Sequence, residues 1–165
     1  MLDSERQASC FSFSGHHYDA QNGVATLSYD VDGFELEEKI VFPWAPWPVD
    51  ASRQAAFFKA LELLHLIAGI SYYKAGLAGK IDVGKCLLDH TLADFLNTLY
   101  MQGLGEFAYF NDIDLTGIIR FEPDADDIEA PRSLDLPERA LVAMGGGKDS
   151  LVCQDILRRA GIEVQ

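Results

Sequence analysis

Three consecutive glycines near the carboxyl end constrain the fold of this chain more than any other feature. They follow a short apolar run at 140–144 that has the length of a β-strand. Apolar residues then recur at helical spacing up to Arg159, and Gly161 is expected to end the helix. A further strand is predicted at 162–164. The order of strand, glycine loop, helix and strand is typical of the first unit of a parallel α/β sheet.

The glycine loop indicates a phosphate site. Glycines let the backbone turn sharply and let a ligand approach the amides closely. The free N–H groups and the dipole at a helix start favour a bound phosphate, although an ordinary glycine turn is the alternative. Lys148 would neutralise phosphate charge or lie exposed, while Asp149 would position Mg²⁺ or, like Ser150, cap the helix. The candidate ligand-binding residues are Gly145, Gly146, Gly147, Lys148, Asp149 and Ser150.

Two common phosphate loops do not fit this segment. A Walker A loop needs Ser or Thr after its Gly-Lys pair, where this chain has Asp149. A dinucleotide fingerprint needs glycine at the position of Ser150. The segment resembles the S-G-G-x-D-S loop (PP-loop) of the ATP pyrophosphatases, with Gly145 in place of the first serine. That resemblance implies cleavage of ATP between the α and β phosphates and adenylation of an acceptor.

The first part of the chain has the pattern of an antiparallel β-meander. Phe11 and Phe13 alternate with serines, and a second alternating run covers 24–31. Asn-Gly at 22–23 and Asp-Gly at 32–33 suit tight turns. The sequence therefore predicts three strands within residues 11–42, and it places His16 and His17 beside a turn and facing solvent.

Helices and shorter strands follow the meander. Helices are predicted over 51–68, where Gly69 would act as a breaker, and over 87–104. Short strands are predicted at 81–83 and 118–121. Between the meander and the first helix, prolines and two tryptophans at 43–48 form a connector, and Asp50 or Ser52 is expected to cap the helix.

An acidic, proline-flanked stretch at about 122–138 is expected to be a solvated linker. It separates an α+β domain at 1–135, which would recognise substrate or support the site, from the start of a PP-loop domain at 139–165. This second domain, of the adenine nucleotide alpha hydrolase type, is expected to be truncated and catalytically incomplete. Its nucleotide site needs several parallel strands, and at most two are available here.

Further segments resemble one bacterial family. They are the runs at 64–75 and 103–109, together with Phe-Ser-Phe-Ser-Gly at 11–15. They are similar to the amino-terminal part of the UDP-N-acetylmuramoyl-L-alanyl-L-glutamate epimerases. The resemblance implies an ATP- and Mg²⁺-dependent isomerase of peptidoglycan precursor synthesis. It would invert the terminal L-glutamate of a nucleotide-linked muramoyl dipeptide through an acyl-adenylate.

Two other functions fit the same residues. One is another PP-loop adenylating enzyme, of the amidotransferase or tRNA-modifying type, and the other is a non-catalytic binding module. With 13 basic and 26 acidic residues the net charge is −13, which disfavours nucleic acid and anionic lipid as partners. Three cysteines with no C-x-x-C pair, and apolar runs of at most eleven uncharged residues, favour a cytoplasmic chain that spans no membrane.

The sequence does not identify the base that would remove the α-proton. The candidates are of three kinds: a histidine that titrates near neutrality, two polar residues after the first helix, and a carboxylate among apolar neighbours. Each has an ordinary alternative, because such residues also serve as core or surface groups. The candidates are His65, Tyr73, Lys74 and Glu106.

Overall fold

A computed structural model of the chain describes residues 7–42, 51–124 and 137–165. The chain divides into two compact units, Met1–Ala130 and Pro131–Gln165. Three of the predicted features lie outside the described residues. They are the proline-rich connector at 43–48, the predicted caps (Asp50 and the Ser52 side chain), and most of the acidic linker.

The predicted β-meander is confirmed. Its strands are β1 (Cys10–Asp19), β2 (Val24–Val31) and β3 (Phe34–Val41), and each pairs antiparallel with the next. Alternate side chains of β1 and β2, such as Phe11 and Leu27, are buried, as the period of two requires. The β2–β3 turn has positive φ at both central positions, 50° at Asp32 and 89° at Gly33, which suits a two-residue hairpin.

A fourth strand makes the sheet mixed rather than wholly antiparallel. This strand, β4 (Lys80–Asp82), pairs in parallel with Cys10–Ser12 of β1, so the strand order is β3-β2-β1-β4. Parallel pairing is possible because residues 20–79 connect the two strands, far more than the dozen or so that a parallel connection requires. The first unit is therefore an α+β fold, as predicted, and the short strand predicted at 81–83 is present one residue earlier. Its parallel pairing with β1 was not predicted.

The first predicted helix is confirmed as α1 (Ala51–Ala68), and α2 (Ile70–Tyr73) follows after one residue. Gly69 lies between the two helices, as predicted for a breaker, but its φ of −54° is not left-handed. Glycine is needed there for space. A Cβ at this position would lie 2.5 Å from Cε1 of Phe13 and 2.8 Å from the hydroxyl of Tyr100.

The second helix, α3 (His90–Gly103), begins three residues later than predicted, and α4 (Gly105–Phe110) follows it. The start is fixed by Asp89, whose carboxylate accepts the N–H of Leu92 at 2.7 Å. The strand predicted at 118–121 was wrong. The Asn97 side chain instead accepts the N–H of Phe121 at 2.8 Å and donates to its carbonyl at 3.0 Å.

An aromatic-rich core holds the first unit together. Tyr100 is fully buried, and its hydroxyl donates to the carbonyl of Leu66 at 2.7 Å. Such a bond satisfies the polar end of a buried tyrosine. The largest fully buried side chains are Phe11, Leu27, Tyr29, Leu66, Tyr73, Leu88, Leu96 and Tyr100.

The segment Arg53–Tyr73 is long and apolar enough to cross a membrane, with a mean hydropathy of 1.3. This is weak evidence for a membrane span, since core helices of globular proteins pass the same test. Here Leu61, Leu66 and Tyr73 belong to the core of the first unit.

The second unit has the predicted order of strand, loop, helix and strand. Its strands β5 (Arg139–Ala140) and β6 (Glu163–Val164) pair in parallel around α5 (Lys148–Arg159). Gly161 has a φ of 78° and follows α5 as predicted. The strand predicted at 140–144 is shorter than expected. Only residue 140 of that run pairs as strand, and the Leu141 side chain is 90% exposed.

Candidate functional site

The glycine loop leads directly into α5. Gly146 has a φ of 78°, and Gly147 is the N-cap residue. The predicted caps at Asp149 and Ser150 were wrong, because the N-cap residue is Gly147 and no side chain among the described residues caps this helix. The Ser150 hydroxyl instead donates to the carbonyl of Gly147 at 2.8 Å, while Asp149 lies in the first turn, where the helix dipole stabilises its charge.

The loop has room for an anion. Its three glycines and Lys148 are exposed, and a Cβ built on any of the three glycines would meet no atom within 4 Å. An uncapped helix start with an adjacent lysine can bind a phosphate group. Across the described ranges, no cluster of three or more His, Cys, Asp or Glu side chains is arranged to hold a metal ion. Mg²⁺ often needs only one or two carboxylates when phosphates supply its other ligands, so Asp149 meets that minimal requirement.

Tyr73 lies in the core. Its side chain is 1% exposed, and its hydroxyl donates to the carbonyl of Ala78 at 3.0 Å. Burial raises the pKa of Tyr73 to about 12. The neighbouring Tyr72 donates to a carboxylate oxygen of Glu38 at 2.6 Å, beside the exposed strand β3. Both hydroxyls therefore have partners within the fold.

Lys74 and Glu106 come together at the surface. Both side chains are exposed, and both line a cavity of about 420 Å³ between α2 and α4. Ser71 and Asn111 add polar groups to the same wall. The sequence proposed these two charged residues independently, and the fold places them on one surface.

His65 is buried against aromatic rings. Its Nε2 lies 2.9 Å from the carbonyl of Ser28, and its ring centroid lies 4.8 Å from that of Tyr29 and 5.2 Å from that of Phe13. Burial lowers the pKa of His65, and His16 contributes in the same direction, while the Ser28 carbonyl and Glu62 oppose the shift.

His16 was placed wrongly by the sequence. It lies inside β1 and is half-buried, with its ring centroid 5.5 Å from that of His65, while His17 is exposed as predicted. The reason is an irregularity in the pairing of β1 between Phe13 and Gly15. A bulge of this kind shifts the alternation of side chains and re-aims those that follow.

A cavity of about 530 Å³, which we term the β1–α1 cleft, lies beside this bulge. It is lined by the middle of β1, one face of α1 and the end of β4 with the segment that follows it. His16 and His65 face this cleft together with Glu62 and Cys86. The volume falls within the range of about 300–1,000 Å³ that is usual for ligand pockets.

Glu62 and Cys86 form a hydrogen-bonded pair in the cleft. The thiol of Cys86 donates to Oε1 of Glu62 at 3.1 Å, and Nζ of Lys59 lies 2.6 Å from the same oxygen. Burial acts to raise the pKa of Glu62, but the hydrogen bonds from Lys59 and Cys86 outweigh it and leave the pKa lowered. Burial, with the Glu62 carboxylate, raises the pKa of Cys86 to about 12. At neutral pH the pair is thus a carboxylate and a protonated thiol.

Sequence reasoning did not identify Glu62 or Cys86. Glu62 lies three residues before His65, so the two share one face of a helix, and this spacing was an available signal. Cys86 is 24 residues from Glu62 and reaches it only because β4 pairs with β1. The sequence carries no local pattern for that contact.

The environment of His65 predicts a pH-dependent stability. Its pKa is lowered on folding, so below the unfolded pKa of about 6.5 the unfolded chain binds a proton that the native chain does not. We expect the free energy of unfolding to fall as the pH drops from about 7 towards the folded pKa. The variant His65→Gln retains a hydrogen-bond donor for the Ser28 carbonyl but does not titrate. Its free energy of unfolding, measured by urea denaturation at each pH, should therefore lack this fall below about pH 7. An unchanged pH dependence in that variant would contradict the assignment.

Comparisons with known proteins cover nearly the whole chain. Residues 2–165 match the MurL N-terminal domain family. The chain is 45% identical over 160 residues to the UDP-N-acetyl-alpha-D-muramoyl-L-alanyl-L-glutamate epimerase of Xanthomonas oryzae pv. oryzae (strain MAFF 311018), a match that covers 96% of this chain and 36% of that protein. No solved structure matches the chain.

Two more distant relatives carry the same epimerase name. The protein of Micromonospora sp. (strain ATCC 39149) is 33% identical over 163 residues, a match that covers 96% of this chain and 36% of that protein. The protein of Salinispora tropica is 32% identical over 163 residues, which covers 96% of this chain and 35% of that protein. The chain therefore spans about a third of the length of the curated relatives it matches. The family resemblance seen in the sequence is confirmed, and the chain belongs to the MurL N-terminal domain family.

Proposed function

We propose that this chain is the amino-terminal part of a cytoplasmic isomerase that inverts the terminal L-glutamate of UDP-N-acetylmuramoyl-L-alanyl-L-glutamate. The observation that carries the proposal is the 45% identity, over 96% of this chain, to a relative named for that reaction. The reaction would supply D-glutamate for peptidoglycan after L-glutamate has been attached.

The proposed reaction uses ATP and Mg²⁺. When bound, ATP would supply the adenylyl group that converts the glutamyl carboxylate to an acyl-adenylate and so makes the neighbouring Cα–H more acidic. The exposed glycine loop, the uncapped start of α5 and Lys148 support this proposal, because their amides and charge suit phosphate groups. In it, the amides near Gly146, Gly147 and Ser150 bind the β- and γ-phosphates, and Asp149 orients Mg²⁺.

The two units would divide the work. The sheet and helices of Met1–Ala130 would recognise or position the substrate, and Pro131–Gln165 would begin the ATP-binding domain. Separate sheets support this division, since β1 to β4 form one sheet and β5 and β6 form another.

The test is incubation of the full-length protein, at the length of its relatives, with the muramoyl dipeptide, ATP and Mg²⁺. Acid hydrolysis and chiral chromatography should then show D-glutamate, and AMP should form. AMP without D-glutamate would favour another adenylating enzyme, and neither product would favour a binding module.

A further inference from the structure

The β1–α1 cleft gathers ionisable groups from three separate elements. His16 comes from β1, Glu62 and His65 from α1, and Cys86 from the segment after β4. The glycine loop belongs to the other unit, and none of these four side chains is among the residues proposed to bind phosphate. A convergence of such groups in a cavity of ligand size is a mark of functional sites.

We propose that the β1–α1 cleft is the proton-transfer site for the glutamyl Cα, with His16 and the Cys86 thiol as the two proton carriers. This inference rests on the proposed function, and it names the residues that exchange protons with the substrate. It also gives Glu62 a positioning role, because its carboxylate holds the thiol through the 3.1 Å hydrogen bond.

The chemistry of inversion requires two transfers on opposite faces of one carbon. A base takes the proton from Cα, and the electron pair of the broken C–H bond moves into the adjacent acyl group, which ATP has activated. An acid then delivers a proton to the other face, and the electron pair forms the new C–H bond. Overall, one proton leaves and one returns, so no oxidant or reductant is needed.

The residues of the cleft are suited to these transfers. The Cys86 thiol is protonated at neutral pH and can donate, and the thiolate that remains can take the Cα proton when the reaction runs from the other epimer. His16 is half-buried at the cleft wall, and histidine is the side chain that most often serves as a general acid or base in enzymes. His65 packs beside His16 and is only 3% exposed, with Nε2 engaged by the Ser28 carbonyl, so its role is to orient the His16 ring.

The test measures exchange of the α-proton with ²H₂O, starting separately from the L- and D-glutamyl substrates with ATP and Mg²⁺. In the full-length protein, Cys86→Ser and His16→Gln should each lower inversion by roughly 100-fold or more, the range for loss of one acid–base group. Each variant should retain α-proton exchange from one epimer only, and the two variants should retain opposite epimers. A purely structural role would not produce this one-sided loss.

Matched controls exist in the same chain. Cys153→Ser changes an exposed cysteine of α5, and His17→Gln changes the exposed neighbour of His16, so both should retain inversion. Melting temperatures show whether each variant is folded. If Cys86→Ser unfolds the protein, the one-sided α-proton exchange expected of His16→Gln still tests whether the cleft is the proton-transfer site. Symmetric loss, or rates within about threefold of the unsubstituted protein, would overturn the cleft assignment. Failure of the unsubstituted protein to invert glutamate would instead overturn the proposed function and this inference with it.

Discussion

Gly146→Val is expected to lower AMP formation by the full-length protein by roughly 100- to 1,000-fold, the loss typical when one preorganised N–H donor is removed. Gly146 has a φ of 78°, a conformation that a β-branched residue rarely adopts. Valine would therefore shift the backbone and place a branched side chain beside the amides. Gly147→Val should act similarly by blocking close approach of a ligand.

The control for this loop is Gly145→Ser. A Cβ at Gly145 has open space around it, and its φ is not positive. Serine also restores the first residue of the PP-loop pattern, so AMP formation should stay near that of the unsubstituted protein. If the valine variants remained fully active, or if serine were as damaging as valine, the loop would not bind phosphate as proposed. Chromatographic measurement of AMP decides between these outcomes.

Gly69→Ala is expected to lower the free energy of unfolding by about 1–3 kcal/mol, the cost of overpacking a well-packed core. The usual effect of replacing a helical glycine with alanine has the opposite sign. Here the added Cβ would lie 2.5 Å from a ring atom of Phe13 and 2.8 Å from the hydroxyl of Tyr100. That hydroxyl is bound to the carbonyl of Leu66, so it does not yield easily.

Gly105→Ala is the matched control for this substitution. Gly105 lies in α4, where an added Cβ meets no atom within 4 Å. The free energy of unfolding of Gly105→Ala, measured by urea denaturation, should equal that of the unsubstituted chain or be slightly higher. Equal stability of Gly69→Ala and the unsubstituted chain would show that the core does not pack against Gly69 as described.

Elements with strong local patterns were predictable from the sequence. Alternation at Phe11 and Phe13 predicted the meander, and helical spacing predicted the bounds of α1. The glycine loop and Gly161 predicted the order of strand, loop, helix and strand in the second unit. In each case the residues that determine the element are close together in the chain.

Features that depend on distant residues were not predictable. The parallel pairing of β4 with β1 joins residues 70 positions apart, and with it comes the contact between Cys86 and Glu62. The backbone at 118–121 has the apolar content of a strand, but the Asn97 side chain takes the hydrogen bonds of Phe121. The half-buried position of His16 follows from a bulge that alternation alone does not reveal.

In the proposed reaction, the protein inverts the glutamyl residue by removing its α-proton with the help of ATP. This is tested by treating the muramoyl dipeptide with the full-length protein in ²H₂O, freeing the glutamate by acid hydrolysis, and analysing the D-epimer by mass spectrometry, with AMP measured in the same sample. We expect one deuterium at Cα in each inverted residue, formation of AMP, and no inversion when ATP is omitted. Inversion without deuterium uptake, or at the same rate without ATP, would contradict the proposed reaction.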